Sequence, residues 1–286
     1  MTSPLPALVS TEWLAGRLGQ AGLRVVDGSV YLPASGRSPA AEFAEAHIPG
    51  AVFFDVDATS DTSSPLPHML PSAEVFARRM SALGLDDADD IVVYDGSGVN
   101  LSAPRVWWTF RVFGHERVAV LDGGFGKWRR EGRPVESGSV SPAVPGRFSA
   151  RLDRSAVRDL ATVRANLSNP KEQIVDMRSA GRFAGTEPEP RTGLRSGHIP
   201  GSRNLPFTEL VAEDGTLLPA DALRRRLAAA GIDPTRPIVA TCGSGTSACA
   251  LIHALHVLGH DAAALYDGSW TEWGGRGDTP VAAGTA

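Results

Sequence analysis

Apolar and polar positions along the chain form two kinds of pattern that alternate. Short apolar runs rich in β-branched residues predict buried strands: LRVVDG, AVFFDV, DIVVYD and RVAVLDG in the first half, and QIVDM, SRNLPF, PIVATC and AAALYDG in the second. Amphipathic segments such as AEVFARRMSALGL, SAPRVWWTFRVFGH and DALRRRLAAAGI lie between them and predict helices. Glycines stand where helices are predicted to end, at Gly84, Gly114, Gly231 and Gly259. This alternation predicts an α/β fold in which a mainly parallel sheet is flanked by helices.

The whole pattern occurs twice. AHIPGAVFF at 46–54 recurs as GHIPGSRNLPF at 197–207, VVYDGSGV at 92–99 recurs as VATCGSGT at 239–246, and VLDGGFGKW at 120–128 recurs as LYDGSWTEW at 265–273. The stretch RPVESGSVSPAVPGRFSA, residues 133–150, is rich in Pro, Gly and Ser and has no periodicity. We therefore predict two similar tandem domains, residues 1–135 and 154–286, joined by a linker over 136–153, with the chemistry in the second domain.

Composition and charge limit the compartment and the partners. An apolar fraction of 42% and a net charge of −4 indicate a folded protein without the basic surface that nucleic acid or an anionic membrane requires. The N-terminus lacks the pattern of a signal peptide, and no apolar run approaches the roughly 18 residues of a membrane span. Two cysteines, Cys242 and Cys249, are typical of a reducing compartment rather than a disulfide framework. We expect a cytoplasmic protein with no nucleic-acid or membrane partner.

Cys242 is the main candidate for chemistry. It follows the apolar run PIVAT and precedes a glycine-rich turn and the helical segment SACALIHALHVLG. Ligands gather at the carboxyl ends of parallel strands, and backbone N–H groups at a helix N-terminus favour an anion there. A thiol in that field would ionise readily to the nucleophilic thiolate. The first copy shares the glycines but has Asp95 in place of the cysteine, so the predicted nucleophile is Cys242 alone.

Several alternatives fit parts of this region. GSGTSA at 243–248 satisfies a dinucleotide-binding fingerprint, but it comes too late in the order of strands. A phosphate-cleaving loop would need an arginine where Ala248 stands. An inert buried thiol is a third possibility, and it is the interpretation that we give to Cys249. His253 and His256 share a helix face, but no Asp, Glu or Cys partner has the spacing of a metal site, so no metal is expected.

Taken together, these motifs resemble a known family. A tandem pair with HIPG after the first strand, an aspartate in the first loop, a cysteine in the second and DGSWTEW near the end is similar to the two-domain rhodanese-type sulfurtransferases, from about Leu8 to Val281. The resemblance implies two similar α/β domains, a persulfide on Cys242 and no metal or organic cofactor. The uncharged CGSG loop resembles the 3-mercaptopyruvate sulfurtransferases of that family, whereas thiosulfate-using members typically carry Arg and Lys after the cysteine.

The same resemblance implies roles for further residues. Asp57, His68 and Ser244 would form a proton relay beside the nucleophile. Arg182 and Arg191, in GRFAGTEPEPR, would grip the carboxylate and carbonyl of 3-mercaptopyruvate through their planar guanidinium groups. The sulfur would then pass to a thiol, such as that of a thioredoxin-like protein, or to cyanide, with release of pyruvate. The loop residues implied in substrate binding are Gly243, Gly245, Thr246 and Ser247.

Two other functions remain open from the sequence. A thiosulfate:cyanide sulfurtransferase would use the same cysteine, although the neutral side chains of the loop disfavour a doubly charged donor. A non-catalytic carrier of persulfide sulfur would need neither the arginine clamp nor the proton relay. A pure binding module is disfavoured because only one copy of the loop carries the cysteine.

Overall fold

The computed structural model describes residues 5–32, 35–138 and 144–285. Residues 139–143 of the predicted linker lie outside the described residues. The chain divides into two compact units. The first unit comprises Met1–Thr62, Leu70–Asp153 and Ala212–Leu217, and the second comprises Ser63–Met69, Arg154–Val211 and Leu218–Ala286. Each unit therefore consists of one repeat together with a short segment from the other repeat.

The first unit is built on a parallel sheet. The strands are β1 Leu8–Val9, β2 Leu23–Asp27, β3 Ala51–Phe53, β4 Asp90–Tyr94 and β5 Val118–Leu121. They lie in the order β1-β5-β4-β2-β3 and are all parallel, so helices connect one strand to the next along the chain. The helices are α1 Thr11–Ala15, α2 Pro39–Glu45, α3 Val56–Thr59, α4 Ala73–Ala82, α5 Ala103–Val112 and α6 Gly124–Arg130.

The second unit repeats this arrangement. Its strands are β6 Val157–Arg158, β7 Gln173–Asp176, β8 Arg203–Asn204, β9 Ile238–Thr241 and β10 Ala263–Tyr266. They lie in the order β6-β10-β9-β7-β8 and are again all parallel. The helices are α7 Leu160–Ser168, α8 Ala180–Ala184, α9 Ala220–Ala229, α10 Ala248–Val257 and α11 Ser269–Gly275. None of the helices in the described ranges is long and apolar enough to cross a membrane.

The hydrophobic pattern explains why these segments form a covered sheet. Every residue of the central strand β9 is buried, as is almost every residue of β4. Strands that are apolar on both faces need cover on both sides. Part of it comes from α5, which packs on β4 and β5, and from α10, which packs on β9 and β10, each with a surface that is buried nearly throughout. The predicted fold class, two α/β units with a mainly parallel sheet and flanking helices, is confirmed.

The recurring tryptophans and histidines have the same structural role in both copies. Trp128 and Trp273 are fully buried in the apolar cluster of their own unit. His198 of the second HIPG segment stacks on Phe183 with 3.7 Å between ring centroids, and its Nδ1 lies 2.8 Å from the Phe183 carbonyl oxygen. His47 makes the corresponding stacking contact with a phenylalanine of α2. These imidazoles pack the fold, which agrees with their occurrence in both repeats.

Candidate functional site

The cysteine-containing loop connects β9 to α10. Cys242 is the first residue after the strand, and only 2% of its surface is exposed. Gly245 has a φ of +77°, a left-handed conformation that a side chain disfavours, so the turn depends on glycine at this position. The loop delivers the chain to the N-terminus of α10, a helix of ten residues. The thiol therefore stands at the carboxyl end of the central strand, beside a helix N-terminus that favours negative charge.

The matching loop of the first unit contains its own anion. The Asp95 carboxylate accepts hydrogen bonds from the backbone N–H groups of Ser97, Ser102 and Ala103, each 2.8 Å long. The last two of these donors begin helix α5, so the aspartate side chain satisfies the N-terminus of that helix. At the same position the second copy has a thiol, whose charge depends on its protonation. The two copies thus differ at this position by a carboxyl group bonded to the helix N-terminus in the first and a thiol in the second.

His68 lies in contact with two hydroxyl groups of the cysteine loop. Its Nδ1 is 3.0 Å from Ser244 Oγ and 3.0 Å from Thr246 Oγ1, and all three residues are buried. His68 also has a φ of +61°, an uncommon conformation for a residue with a side chain. The sequence placed His68 and Ser244 in one proton relay, and in the structure their side chains are in direct contact. The Thr246 hydroxyl is a second group in contact with the same nitrogen.

Arg182 approaches the same loop from α8. A Cβ atom on Gly243 would lie 3.0 Å from Arg182 Nη2, so the absence of a side chain at Gly243 allows this approach. The Arg182 guanidinium binds the Glu189 carboxylate, with 2.6 Å between Nη2 and Oε2. Glu189 also binds Arg178 at 2.6 Å, and the Arg178 side chain is fully buried against Asp176 and Trp270. A network of two arginines and two carboxylates thus holds Arg182 beside the loop.

The structure leaves other predicted roles untested. Asp57 lies on α3 in the first unit and is exposed. Arg191 is half-buried in the segment between α8 and β8, and Ser247 is the N-cap residue of α10 without a side-chain capping bond. Their assigned functions stay predictions. Cys249, on α10, is fully buried, and its Sγ donates to the Gly245 carbonyl oxygen at 3.4 Å, as a packed thiol does.

Sequence reasoning missed several residues that surround the loop. Glu189 connects to the site through ion pairs with Arg178 and Arg182, 11 and 7 residues away along the chain, and no motif in the sequence marked these pairs. Ser269 and Thr271 bond to the backbone of the loop, and here a signal existed: the first repeat has glycine at both matching positions, Gly124 and Gly126.

The chain is similar to known proteins along most of its length. The model of the rhodanese-like domain family matches residues 10–131 and 159–276. The 3-mercaptopyruvate sulfurtransferase of Rattus norvegicus is 47% identical, over 93% of this chain and 91% of the relative. The thiosulfate sulfurtransferase of Bos taurus is 46% identical over the same shares of the two chains. Relatives named for 3-mercaptopyruvate and relatives named for thiosulfate are therefore about equally similar to this chain.

A solved structure has the same fold. The crystal structure of SseA from Escherichia coli, described as that of a 3-mercaptopyruvate sulfotransferase with the rhodanese fold, superposes with a TM-score of 0.85. It is 40% identical to this chain and matches 93% of it and 99% of SseA. The Tum1 protein from Saccharomyces cerevisiae superposes with a TM-score of 0.86 at 35% identity, over 95% of each chain.

Proposed function

The chain belongs to the rhodanese-like domain family, and on that premise we propose that it is a sulfurtransferase that takes sulfur from 3-mercaptopyruvate through a persulfide on Cys242. The observation that carries the choice of donor is the composition of the site around the thiol. The loop side chains are hydroxyls, at Ser244, Thr246 and Ser247, and the nearby Arg182 is partly neutralised by Glu189. A donor with one carboxylate and a neutral ketone suits this environment better than the dianion thiosulfate does.

The proposed reaction has two steps. The Cys242 thiolate attacks the sulfur of 3-mercaptopyruvate, the carbon–sulfur bond breaks, and its electron pair leaves on carbon as the enolate of pyruvate. The enolate takes a proton to become pyruvate, while the enzyme holds the sulfur as a Cys242 persulfide. A thiolate acceptor, such as that of a thioredoxin-like protein, or cyanide then attacks the outer sulfur and restores the Cys242 thiolate. The helix α10 N-terminus stabilises the anionic sulfur in both steps.

The proton relay and the substrate clamp follow from the same premise. We assign His68 to the proton transfer because its Nδ1 contacts Ser244 Oγ beside the nucleophile. Asp57 is the residue that we propose to orient the imidazole. Arg182 and Arg191 are assigned to the carboxylate and carbonyl of the donor, and the contact distance between Arg182 and the Gly243 position supports the first of these.

We propose that the protein acts in the cytoplasm. Cys242 and Cys249 form no disulfide with each other, which agrees with a reducing compartment such as the cytoplasm. An Arabidopsis thaliana relative, 45% identical over 96% of this chain, has a name that places it in mitochondria. Fractionation of the source cells followed by detection of the protein would decide between the two locations.

Initial rates with two donors test the donor and the nucleophile together. Pyruvate is followed with 3-mercaptopyruvate, and thiocyanate is followed with thiosulfate and cyanide. We expect faster turnover of 3-mercaptopyruvate and its loss in Cys242→Ser. The control is Cys249→Ser, which keeps a hydrogen-bond donor for the Gly245 carbonyl and should keep the wild-type rate. Faster use of thiosulfate would overturn the donor assignment, and inactivity with both donors would favour a sulfur carrier.

A further inference from the structure

The segment that begins α11 holds the backbone of the cysteine loop. The Cys242 N–H donates to Ser269 Oγ at 3.3 Å, and the Cys242 carbonyl oxygen accepts from the Trp270 N–H at 2.9 Å. The Gly243 carbonyl oxygen accepts from the Thr271 N–H at 2.9 Å and from Thr271 Oγ1 at 2.7 Å. Three consecutive residues therefore bind the two residues at the start of the loop.

The first repeat contains the same backbone contact but not the hydroxyl contacts. There the Phe125 N–H donates to the Asp95 carbonyl oxygen at 3.0 Å, which corresponds to the bond between Trp270 and Cys242. The positions that match Ser269 and Thr271 are Gly124 and Gly126. The two hydroxyl groups are thus present only in the copy that carries the cysteine, so the repeat fold does not require them.

Ser269 adopts a backbone conformation that favours glycine. Its φ is +49°, and Gly124 at the matching position has a φ of +54°. A serine in this region is strained, and glycine would remove the strain. Ser269 is fully buried, and its hydroxyl donates to the Tyr266 carbonyl oxygen at 2.8 Å while it accepts from the Cys242 N–H. The hydroxyl therefore links the end of β10 to the backbone of the nucleophile.

We propose that Ser269 is a positioning residue for Cys242, and that Thr271 reinforces it at Gly243. The inference rests on the proposed function of the cysteine. The Ser269 hydroxyl holds the peptide group before the Cys242 Cα, the Trp270 N–H holds the one after it, and the Thr271 hydroxyl holds the next peptide group, between Gly243 and Ser244. These bonds fix the direction in which the Cα–Cβ bond presents the sulfur to the donor and to the N-terminus of α10. Displacement of the sulfur from this geometry lowers the rate of its attack on the donor steeply, because attack requires alignment of the reacting atoms.

The test uses Ser269→Gly and Thr271→Val in the full chain. Glycine accepts the positive φ of position 269, and valine keeps the shape of threonine and the backbone N–H bond of position 271. We expect kcat with 3-mercaptopyruvate to fall by about tenfold or more in Ser269→Gly and less in Thr271→Val, with KM within about twofold of wild type. Ser202→Ala is the control, since it removes a buried hydroxyl of the same unit that bonds to the Ile199 carbonyl oxygen, away from the cysteine loop.

A second readout does not depend on turnover. Alkylation of Cys242 by iodoacetamide is measured against pH in a Cys249→Ser background, with no sulfur donor present. A displaced thiol is less stabilised as thiolate by α10, so the profile of Ser269→Gly should move to higher pH, whereas a residue needed only for folding would leave the profile of the folded protein unchanged. Wild-type kcat and an unchanged alkylation profile in both variants would overturn the proposal. If the wild type used neither donor, the proposed function would fail, while the alkylation profile would still decide the role of Ser269.

Discussion

At the scale of single residues, two hydroxyl groups contact the same nitrogen of the His68 imidazole. Nδ1 lies 3.0 Å from both Ser244 Oγ and Thr246 Oγ1, and a ring nitrogen has either one lone pair or one proton to share. The two hydroxyls therefore compete for it. Ser244 directly follows Gly243, whereas Thr246 stands on the far side of the Gly245 turn, one residue before the N-cap of α10. We assign the proton relay to Ser244 and a competing role to Thr246.

This assignment predicts different effects for the two hydroxyls. Ser244→Ala should lower kcat with 3-mercaptopyruvate by about 100-fold, the lower range for loss of general acid–base catalysis. Thr246→Val should change kcat by less than about threefold, because it leaves the contact between Ser244 Oγ and Nδ1 in place. The measurement is kcat against pH for both variants. A larger loss in Thr246→Val than in Ser244→Ala would show that the roles are reversed.

At the scale of elements, each central strand delivers a glycine-rich loop to the N-terminus of a ten-residue helix. Such an N-terminus has backbone N–H groups without partners in the helix, and an anion satisfies them. In the first unit the Asp95 side chain performs this function for α5. In the second unit we propose that the same type of N-terminus stabilises the Cys242 thiolate and its persulfide. The element is the same in both copies, and the residue that it holds determines whether it supports stability or catalysis.

Removal of the Asp95 carboxylate should therefore affect stability. In Asp95→Ala the N–H groups of Ser102 and Ala103 lose their acceptor, and the free energy of unfolding should fall by about 1–3 kcal/mol. Asp95→Asn keeps one acceptor oxygen and should lose less. Chemical denaturation measures both values. Sulfur transfer per folded molecule should remain at the wild-type level, and an Asp95→Ala protein as stable as wild type would contradict the capping role.

At the scale of the whole molecule, the two units differ in the environment of a buried aspartate. Asp27 ends β2 and Asp176 ends β7, at matching positions of the repeat. Asp176 forms an ion pair with Arg178 at 2.6 Å. Within the described part of the chain Asp27 has no such cation, and it lines a cavity of about 330 Å³ in the first unit. Burial raises the pKa of the Asp27 carboxyl from 3.8 to about 6, although hydrogen bonds from Ser29 and Tyr94 oppose the shift.

The raised pKa of Asp27 predicts a dependence of stability on pH. The folded protein holds this proton more tightly than the unfolded chain, so the contribution of Asp27 to the free energy of unfolding falls as pH rises from 4 to 6. Asp27→Asn cannot ionise and should lack this loss. The difference in the free energy of unfolding between Asp27→Asn and wild type should therefore shift in favour of the variant by about 2–3 kcal/mol from pH 4 to pH 7. Unfolding curves at several pH values test this, and parallel pH dependence of the two proteins would refute it.

Much of this architecture was determined by the sequence alone, because it depends on patterns that are local or that repeat along the chain. Apolar runs and helical spacing predicted the strands and the main helices, and the four glycines predicted at helix ends, Gly84, Gly114, Gly231 and Gly259, all have positive φ. The internal repeat predicted two similar units. The exchange of Asp95 for Cys242 between them led us to predict Cys242 as the nucleophile, and that role stays a prediction. The motifs also identified the family correctly.

Tertiary structure alone decided which distant side chains meet. His68 reaches Ser244 across 176 residues of sequence, and residues 63–69 and 212–217 each belong to the unit of the other repeat. The contacts of Thr246 with His68 and of Ser269 with the Cys242 amide likewise join separate segments of the chain. Parallel strands bring such loops together at one edge of a sheet in the order of the strands, not in the order of the chain, and no pattern of neighbouring residues records that order.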